Sequence, residues 1–168
     1  HIFIFVIDSL RRDYLSPYNQ AVQFTPSIQS FAAESVVFEN TFTRYGGTGL
    51  SEPSIWVGGM LVHQQYVTPF APMNSLQKLL QAESYECFVS RDSILETILS
   101  PWPALSELDK GSSTLRLDLC KTLDELKKEI SEQKTSGKSL FAYTQPQNIH
   151  ISVINREGKS VLDKGPYD

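Results

Sequence analysis

The amino-acid sequence predicts an α/β fold, a mostly parallel sheet flanked by helices, and three observations carry that reading. Residues Ile2 to Ile7 form an unbroken apolar run rich in β-branched and aromatic side chains, as in a strand buried on both faces of a parallel sheet. Strand-like segments then alternate with segments whose apolar residues recur at helical spacing. Capping residues, proline and glycine stand at the joints between them.

Taken in order, the first strand is followed by a loop containing Pro17. Thr25-Pro26 then supplies a helix cap and a proline at the first helical position, for a helix reaching Glu34. Ser35 to Phe42 alternates between apolar and polar residues and predicts a strand. Gly46-Gly47 makes a hinge into a helix over Leu50 to Met60. Asn74-Ser75 caps a helix over Leu76 to Ala82, in which Leu76, Leu79 and Leu80 share a face, and Tyr85 to Val89 predicts the next strand. From Ile94 to Ser113 the pattern is weak, interrupted by Pro101 and Pro103 and closed by a Gly111-Ser-Ser loop. Leu119, Leu123, Leu126 and Ile130 trace one face of an amphipathic helix whose other face is rich in Lys and Glu, with Gly137 placed to stop it. Leu140 to Thr144 predicts a strand ending at Gln145-Pro146. Ile151 to Ile154 and Ser160-Val161 flank Arg156-Glu-Gly158 in the manner of a hairpin.

Composition narrows the function classes. At 168 residues and 40% hydrophobic content the chain is long enough for one well-packed core. A formal net charge of -4 supplies no basic stripe for a phosphate backbone, so nucleic acid is not the expected partner. Cys87 and Cys120 lack CxxC spacing and a nearby His, which argues against a zinc knuckle or a disulfide framework. The longest apolar run is too short to span a bilayer, and no signal peptide stands at the start. The opening inside a strand, at His1, reads as part of something longer, with any membrane anchor outside this stretch.

Two residues carry the chemistry. Asp8 ends an apolar run, where a carboxylate is costly unless it binds a cation, receives hydrogen bonds or caps a turn. A metal ligand and an Asx turn into Ser9-Leu10 are both open on this residue alone. Thr48 stands at the mouth of a helix, where unpaired amides and the helix dipole favour anions such as phosphate or sulfate. A metal on its hydroxyl would make it a nucleophile, and a plain helix cap is the competing role, which Ser51 and Ser54 could also fill.

The order of the pieces favours the first alternative in each case. Val6-Ile-Asp8-Ser-Leu-Arg-Arg-Asp13, then Thr25-Pro26-Ser-Ile28 with Phe31 to Phe38, then Thr48 to Gly59 resembles the opening of the sulfatase branch of the alkaline phosphatase superfamily. The resemblance covers about the first 65 residues, with a further echo in Leu140-Phe-Ala-Tyr-Thr-Gln-Pro-Gln-Asn-Ile-His150 and in Gly165-Pro-Tyr-Asp168. It implies an alkaline-phosphatase-like fold, of which residues 1–168 would be the amino-terminal portion of one domain. It further implies that Asp8 is a metal ligand, that Thr48 is the nucleophile and touches the metal, and that His150 contacts an anionic ester. Arg91 is a further candidate for binding that anion, and His63 is read as structural. The implied cofactor is a divalent metal (Zn, Ca, Mg or Mn) in the complete protein, with too few ligands in this stretch to hold it well. The relatives' location implies a periplasmic, extracellular or membrane-anchored protein.

Departures from the family pattern move the expected chemistry. Where sulfatases carry Cys-x-Pro-Ser-Arg, this chain has Thr48-Gly-Leu-Ser51-Glu52. Threonine cannot become a formylglycine, and Glu52 stands in place of the stabilising arginine. The Lys and His that sulfatases place after the next strand are absent, the corresponding region being Phe88-Val-Ser-Arg91-Asp92. The expectation is therefore a hydrolase or transferase of phosphate esters, less so of sulfate esters, working through a phospho-threonine and completed by a carboxy-terminal half carrying an Asp-His ligand pair. The alternative is a non-catalytic sulfatase-like binding domain that has lost its metal site.

Overall fold

A computed structural model describes residues 1–59, 70, 72–113, 116–133 and 137–154, with side chains as far as 151. Four parallel strands form one sheet in the order β1-β4-β2-β3: β1 Ile2–Phe5, β2 Glu86–Ser90, β3 Leu105–Leu108 and β4 Leu140–Thr144. Six helices are described: α1 Pro26–Ala33, α2 Thr48–Val57, α3 Ser75–Ala82, α4 Ser93–Ile98, α5 Leu119–Gln133 and α6 Asn148–Ile154, together with a 3-10 turn at Arg12–Tyr14. The chain divides into two compact units, one of residues 1–6 and 43–147, the other of 7–42 and 148–168.

The first unit holds the sheet. Leu140, Phe141, Ala142, Tyr143 and Thr144 of β4 are all buried, because β4 is flanked by β1 and β2 and covered on both faces. Its pairings run Ile2 to Phe141 and Phe5 to Thr144 on one side, and Glu86 to Leu140 and Val89 to Tyr143 on the other. Alternation then sends two sets of side chains to opposite faces. Cys87, Val89, Phe141 and Tyr143 meet Trp56, Leu80, Leu95 and Ile98 from α2, α3 and α4. Phe88, Leu108, Leu140 and Ala142 meet Leu126 and Ile130 of α5.

Local chemistry explains the helix ends. Asn74 Oδ1 accepts a bond from Gln77 N at 2.9 Å, as its capping position predicts, and its Nδ2 donates to Ile98 O at 3.0 Å, tying α3 to the end of α4. Asp92 caps α4 by accepting from Ile94 N and Leu95 N. Gly58 closes α2 in the left-handed conformation, at φ 72°.

Several sequence expectations are corrected. β1 is not buried on both faces: it lies at one edge of the sheet among the described residues, and Ile2, Phe3 and Phe5 are 42–44% exposed. Ser35 to Phe42 forms no strand. Its backbone finds no ladder, Val36 and Phe42 are exposed, and Phe38 O and Glu39 O instead accept from Tyr18 Oη and Arg12 Nη1. Thr25 does not cap α1 through its side chain, because its hydroxyl faces Ser16, accepting from Ser16 N at 3.0 Å. The α2 helix begins two residues before Leu50, at Thr48. The weak stretch after Ile94 contains α4 and β3. Ile151 to Ile154 closes α6 rather than a strand, and the rest of the expected hairpin lies outside the described residues.

Trp56 is the largest fully buried side chain, edge-on to Phe141 at 5.9 Å and to Tyr143 at 5.3 Å. Trp56→Ala should therefore lower the unfolding free energy by about 3–5 kcal/mol, since the cavity opens between helix and sheet. Urea denaturation followed by circular dichroism measures this, and a loss below about 1 kcal/mol would contradict the packing described.

Candidate functional site

Helix α2 is aimed by its contacts with β4. Trp56 packs on Phe141 and Tyr143, while Glu52, one turn nearer the helix start, acts electrostatically on Tyr143, which lies nearer the strand end. These contacts hold α2 against β4. In sheets of this kind ligands collect at the carboxyl ends of the strands.

Thr48 is the first residue of α2, with Gly47 in extended conformation at the cap position and no side-chain cap bond. The three hydroxyls of this segment separate clearly. Ser51 Oγ donates to Tyr45 O at 2.8 Å, and Ser54 Oγ donates to Leu50 O at 2.7 Å. Thr48 has a half-buried side chain whose hydroxyl makes no hydrogen bond among the described residues. The capping role left open by the sequence is therefore not the one it takes.

One turn on, Glu52 is 1% exposed. Tyr143 is fully buried, and its phenol is pushed far above the ordinary tyrosine range, first by burial and then by the Glu52 carboxylate. Cys87, also in this core, is pushed up to about 12, mainly by burial with a further contribution from Glu86. A thiol so held is a packing group and not a nucleophile.

The second unit contains Asp8, three residues beyond the last residue of β1. Ser9 follows it in the left-handed conformation at φ 62°, a strained setting for a side chain other than glycine. His150, from α6, closes on this pair. Its Nδ1 lies 2.9 Å from Ser9 Oγ and 3.4 Å from Asp8 Oδ2, and Ser9 Oγ lies 3.4 Å from Asp8 Oδ1. The side chains of Asp8 and His150 are 23% and 32% exposed, within reach of solvent. The arginines that follow are engaged elsewhere: Arg11 pairs with Asp13 at 2.6 Å and holds that carboxyl below the usual range, while Arg12 donates to Glu39 O.

The sequence candidates thus fall into separate places. Asp8 and His150 come together in one unit, and Thr48 belongs to the other. Arg91 follows β2 and pairs with Glu107 at 3.6 Å, lining a cleft of about 110 Å³ with Leu99, Pro101, Trp102 and Leu105. That volume is well below the roughly 300–1,000 Å³ of pockets for larger ligands. His63 lies outside the described residues. Sequence reasoning passed over Ser9, whose left-handed backbone has no signature in residue type. It also passed over Tyr143, which reads as one more apolar strand residue until Glu52 is placed beside it.

Among the described residues no three His, Cys, Asp or Glu side chains gather as a metal cluster, and no helix is long and apolar enough to cross a membrane. Comparison with family models, with curated proteins and with solved structures finds no match to this chain.

Both Cys87 and Tyr143 bind their protons more tightly folded than unfolded, so stability falls as pH rises through their range. The Cys87 contribution is full below its ordinary value of 9.0 and is lost as pH climbs toward about 12. Urea midpoints should accordingly decline above pH 9, and Cys87→Ala should flatten that decline relative to its own midpoint at neutral pH. An unchanged slope in the variant would show that the thiol does not contribute.

Proposed function

We propose that this chain carries part of the active site of a metal-dependent hydrolase or transferase of phosphate esters, with Thr48 as nucleophile. The observation that carries the reading is the state of the three hydroxyls on α2: two are spent on backbone carbonyls, and the one at the helix mouth is left to react. The amides of the first turn lie at the same end and suit an anionic ester. The resemblance of the first 65 residues to the sulfatase branch supports the same assignment, and threonine in place of cysteine favours phosphorus over sulfur.

Asp8 suits the metal that this chemistry implies. It is a partly exposed carboxylate, an oxygen donor of the kind divalent cations accept. Asp8 would hold the ion, which when bound lowers the pKa of a hydroxyl it touches and offsets phosphoryl charge.

The chain's own part follows from ordinary chemistry. The Thr48 hydroxyl loses its proton and its Oγ1 forms a bond to phosphorus, in line with the departing alkoxide, which takes up a proton. A phospho-threonine results. Water or an acceptor hydroxyl then attacks the phosphorus, the bond to Oγ1 breaks, and Thr48 recovers its proton. Arg91, in the same unit as Thr48, is the candidate for contacting the anion, and it must first exchange its partner Glu107.

A second reading, a sulfatase-like binding domain without catalysis, is favoured by one observation. Glu52 is a buried acid one turn below Thr48, where the sulfatase pattern has an arginine, and its charge opposes an anion at the helix mouth. Hydrolysis of nitrophenyl phosphate esters and nitrophenyl sulfate, measured with added divalent metal, separates the two. We expect phosphate esters to be cleaved in preference to sulfate, and Thr48→Ala to lose about 10³-fold or more of that rate. A Thr48→Ala protein as active as the parent, or a parent without metal-dependent turnover, would overturn the catalytic reading.

A further inference from the structure

We propose that the cleft at Arg91 is a binding site for a small aliphatic carboxylate, held by the guanidinium against a wall of Leu99, Pro101, Trp102 and Leu105. The inference does not rest on the Thr48 chemistry. It gives Arg91 a carboxylate partner where the reading above gives it an ester phosphate.

The walls of the cleft are fixed by the fold. Gln77, buried on α3, accepts from Ser100 N at 3.0 Å and donates to Ser100 O at 2.8 Å, and Leu105 N donates to Trp102 O at 3.0 Å. Pro101 and Pro103 restrict the backbone on either side of Trp102. Leu99 belongs to the core, and Trp102 and Leu105 pack against it. Pairing of β2 with β3 sets Leu105 beside Cys87 and Glu107 beside Val89, so alternation brings Leu105 and Glu107 to one face. A cleft formed in this way before a ligand arrives loses little to ordering when it binds.

The polar groups around it are mismatched. The Arg91 side chain is only 25% exposed, yet its ion pair with Glu107 spans 3.6 Å, longer than a hydrogen bond. Arg91 Nε and Trp102 Nε1 are both buried and have no hydrogen-bond partner among the described residues. Buried donors without partners are uncommon in folded proteins and ask for an acceptor. Since both groups are donors, and one carries a positive charge, the ligand that answers them brings acceptors and no protons. A carboxylate is acceptor-only, and its two oxygens match the fork of a guanidinium. Glu107, itself 32% exposed, can release Arg91 to such a ligand, because a partly exposed pair at this length contributes little.

Size and lining decide the rest of the molecule. The volume of about 110 Å³ holds roughly four groups of the size of a water molecule at about 30 Å³ each. Two leucines, a proline and an indole face that space, which suits a short hydrocarbon chain as in propionate or butyrate.

Titration of the full chain with sodium butyrate at constant ionic strength, followed through the indole N–H resonances of its two tryptophans, tests the proposal. The Trp102 resonance, assigned with Trp102→Phe, should shift and saturate with a dissociation constant of about 1 mM, and that of Trp56 should shift less. n-Butanol, which has the chain without the charge, should not saturate the site. Arg91→Ala should weaken butyrate binding about tenfold or more, with circular dichroism matching the parent. If Arg91→Ala does not fold, Arg91→Lys makes the same comparison, since it keeps the charge and loses the fork. Glu107→Gln should tighten binding, because the competing carboxylate is gone. A parent that binds no butyrate, or Arg91 variants that bind it as tightly as the parent, overturns the proposal. Methyl phosphate taking the site with higher affinity than butyrate also overturns it, and returns Arg91 to the phosphate ester. Turnover has no part in this titration, so its result stands whether or not Thr48 is a nucleophile.

Discussion

The whole first unit depends on β4. Its five consecutive residues are buried because it is hydrogen-bonded to β1 on one side and to β2 on the other, with helices over both faces. A strand in that position must be apolar in both rows, and Leu140-Phe-Ala-Tyr-Thr144 satisfies this except at its end. Phe141 and Tyr143 receive Trp56, while Leu140 and Ala142 receive α5. Remove this strand, and neither core cluster has a floor.

The same strand orients the candidate nucleophile. Trp56 packs on Phe141 and Tyr143 and Glu52 acts on Tyr143, so α2 is held against β4. Parallel sheets place strand ends and helix starts on one edge, which is why chemistry gathers there. Glu52 is a buried acid one turn from Thr48, and the Tyr143 phenol is held above its ordinary range first by its own burial and then by that carboxylate. In the other unit, Asp8, Ser9 and His150 are assembled by a strained backbone position and a short helix. The candidate side chains are therefore divided between the two units.

The residues most readable from sequence were those whose neighbours are local. Asn74 capped α3 and Leu126 faced the core because capping and helical periodicity involve only a few adjacent residues. β4 was legible for the same reason, as a short unbroken apolar run. Ser35 to Phe42 alternates convincingly, yet a strand exists only with a partner, and alternation does not name one. α4 and β3 were hidden because each is short and lies among prolines that dominate the local signal. Of the candidate site, position alone left Asp8 and Thr48 each with a capping or turn role open, and only the resemblance singled them out. His150 beside Asp8 could not be placed there, and Ser9 was read only as part of a turn.

By itself the sequence determined the α/β class and the strand and helix that carry most of the core, and it offered Asp8 and Thr48 as candidates for chemistry. Those properties follow from hydrophobic periodicity, capping and residue type, which act over a few positions. Tertiary structure decided that β1 is an edge strand, that Ser51 and Ser54 spend their hydroxyls while Thr48 does not, and that His150 closes on Asp8 and Ser9. These outcomes depend on which distant groups meet, and only the folded chain brings groups 141 residues apart to within 2.9 Å.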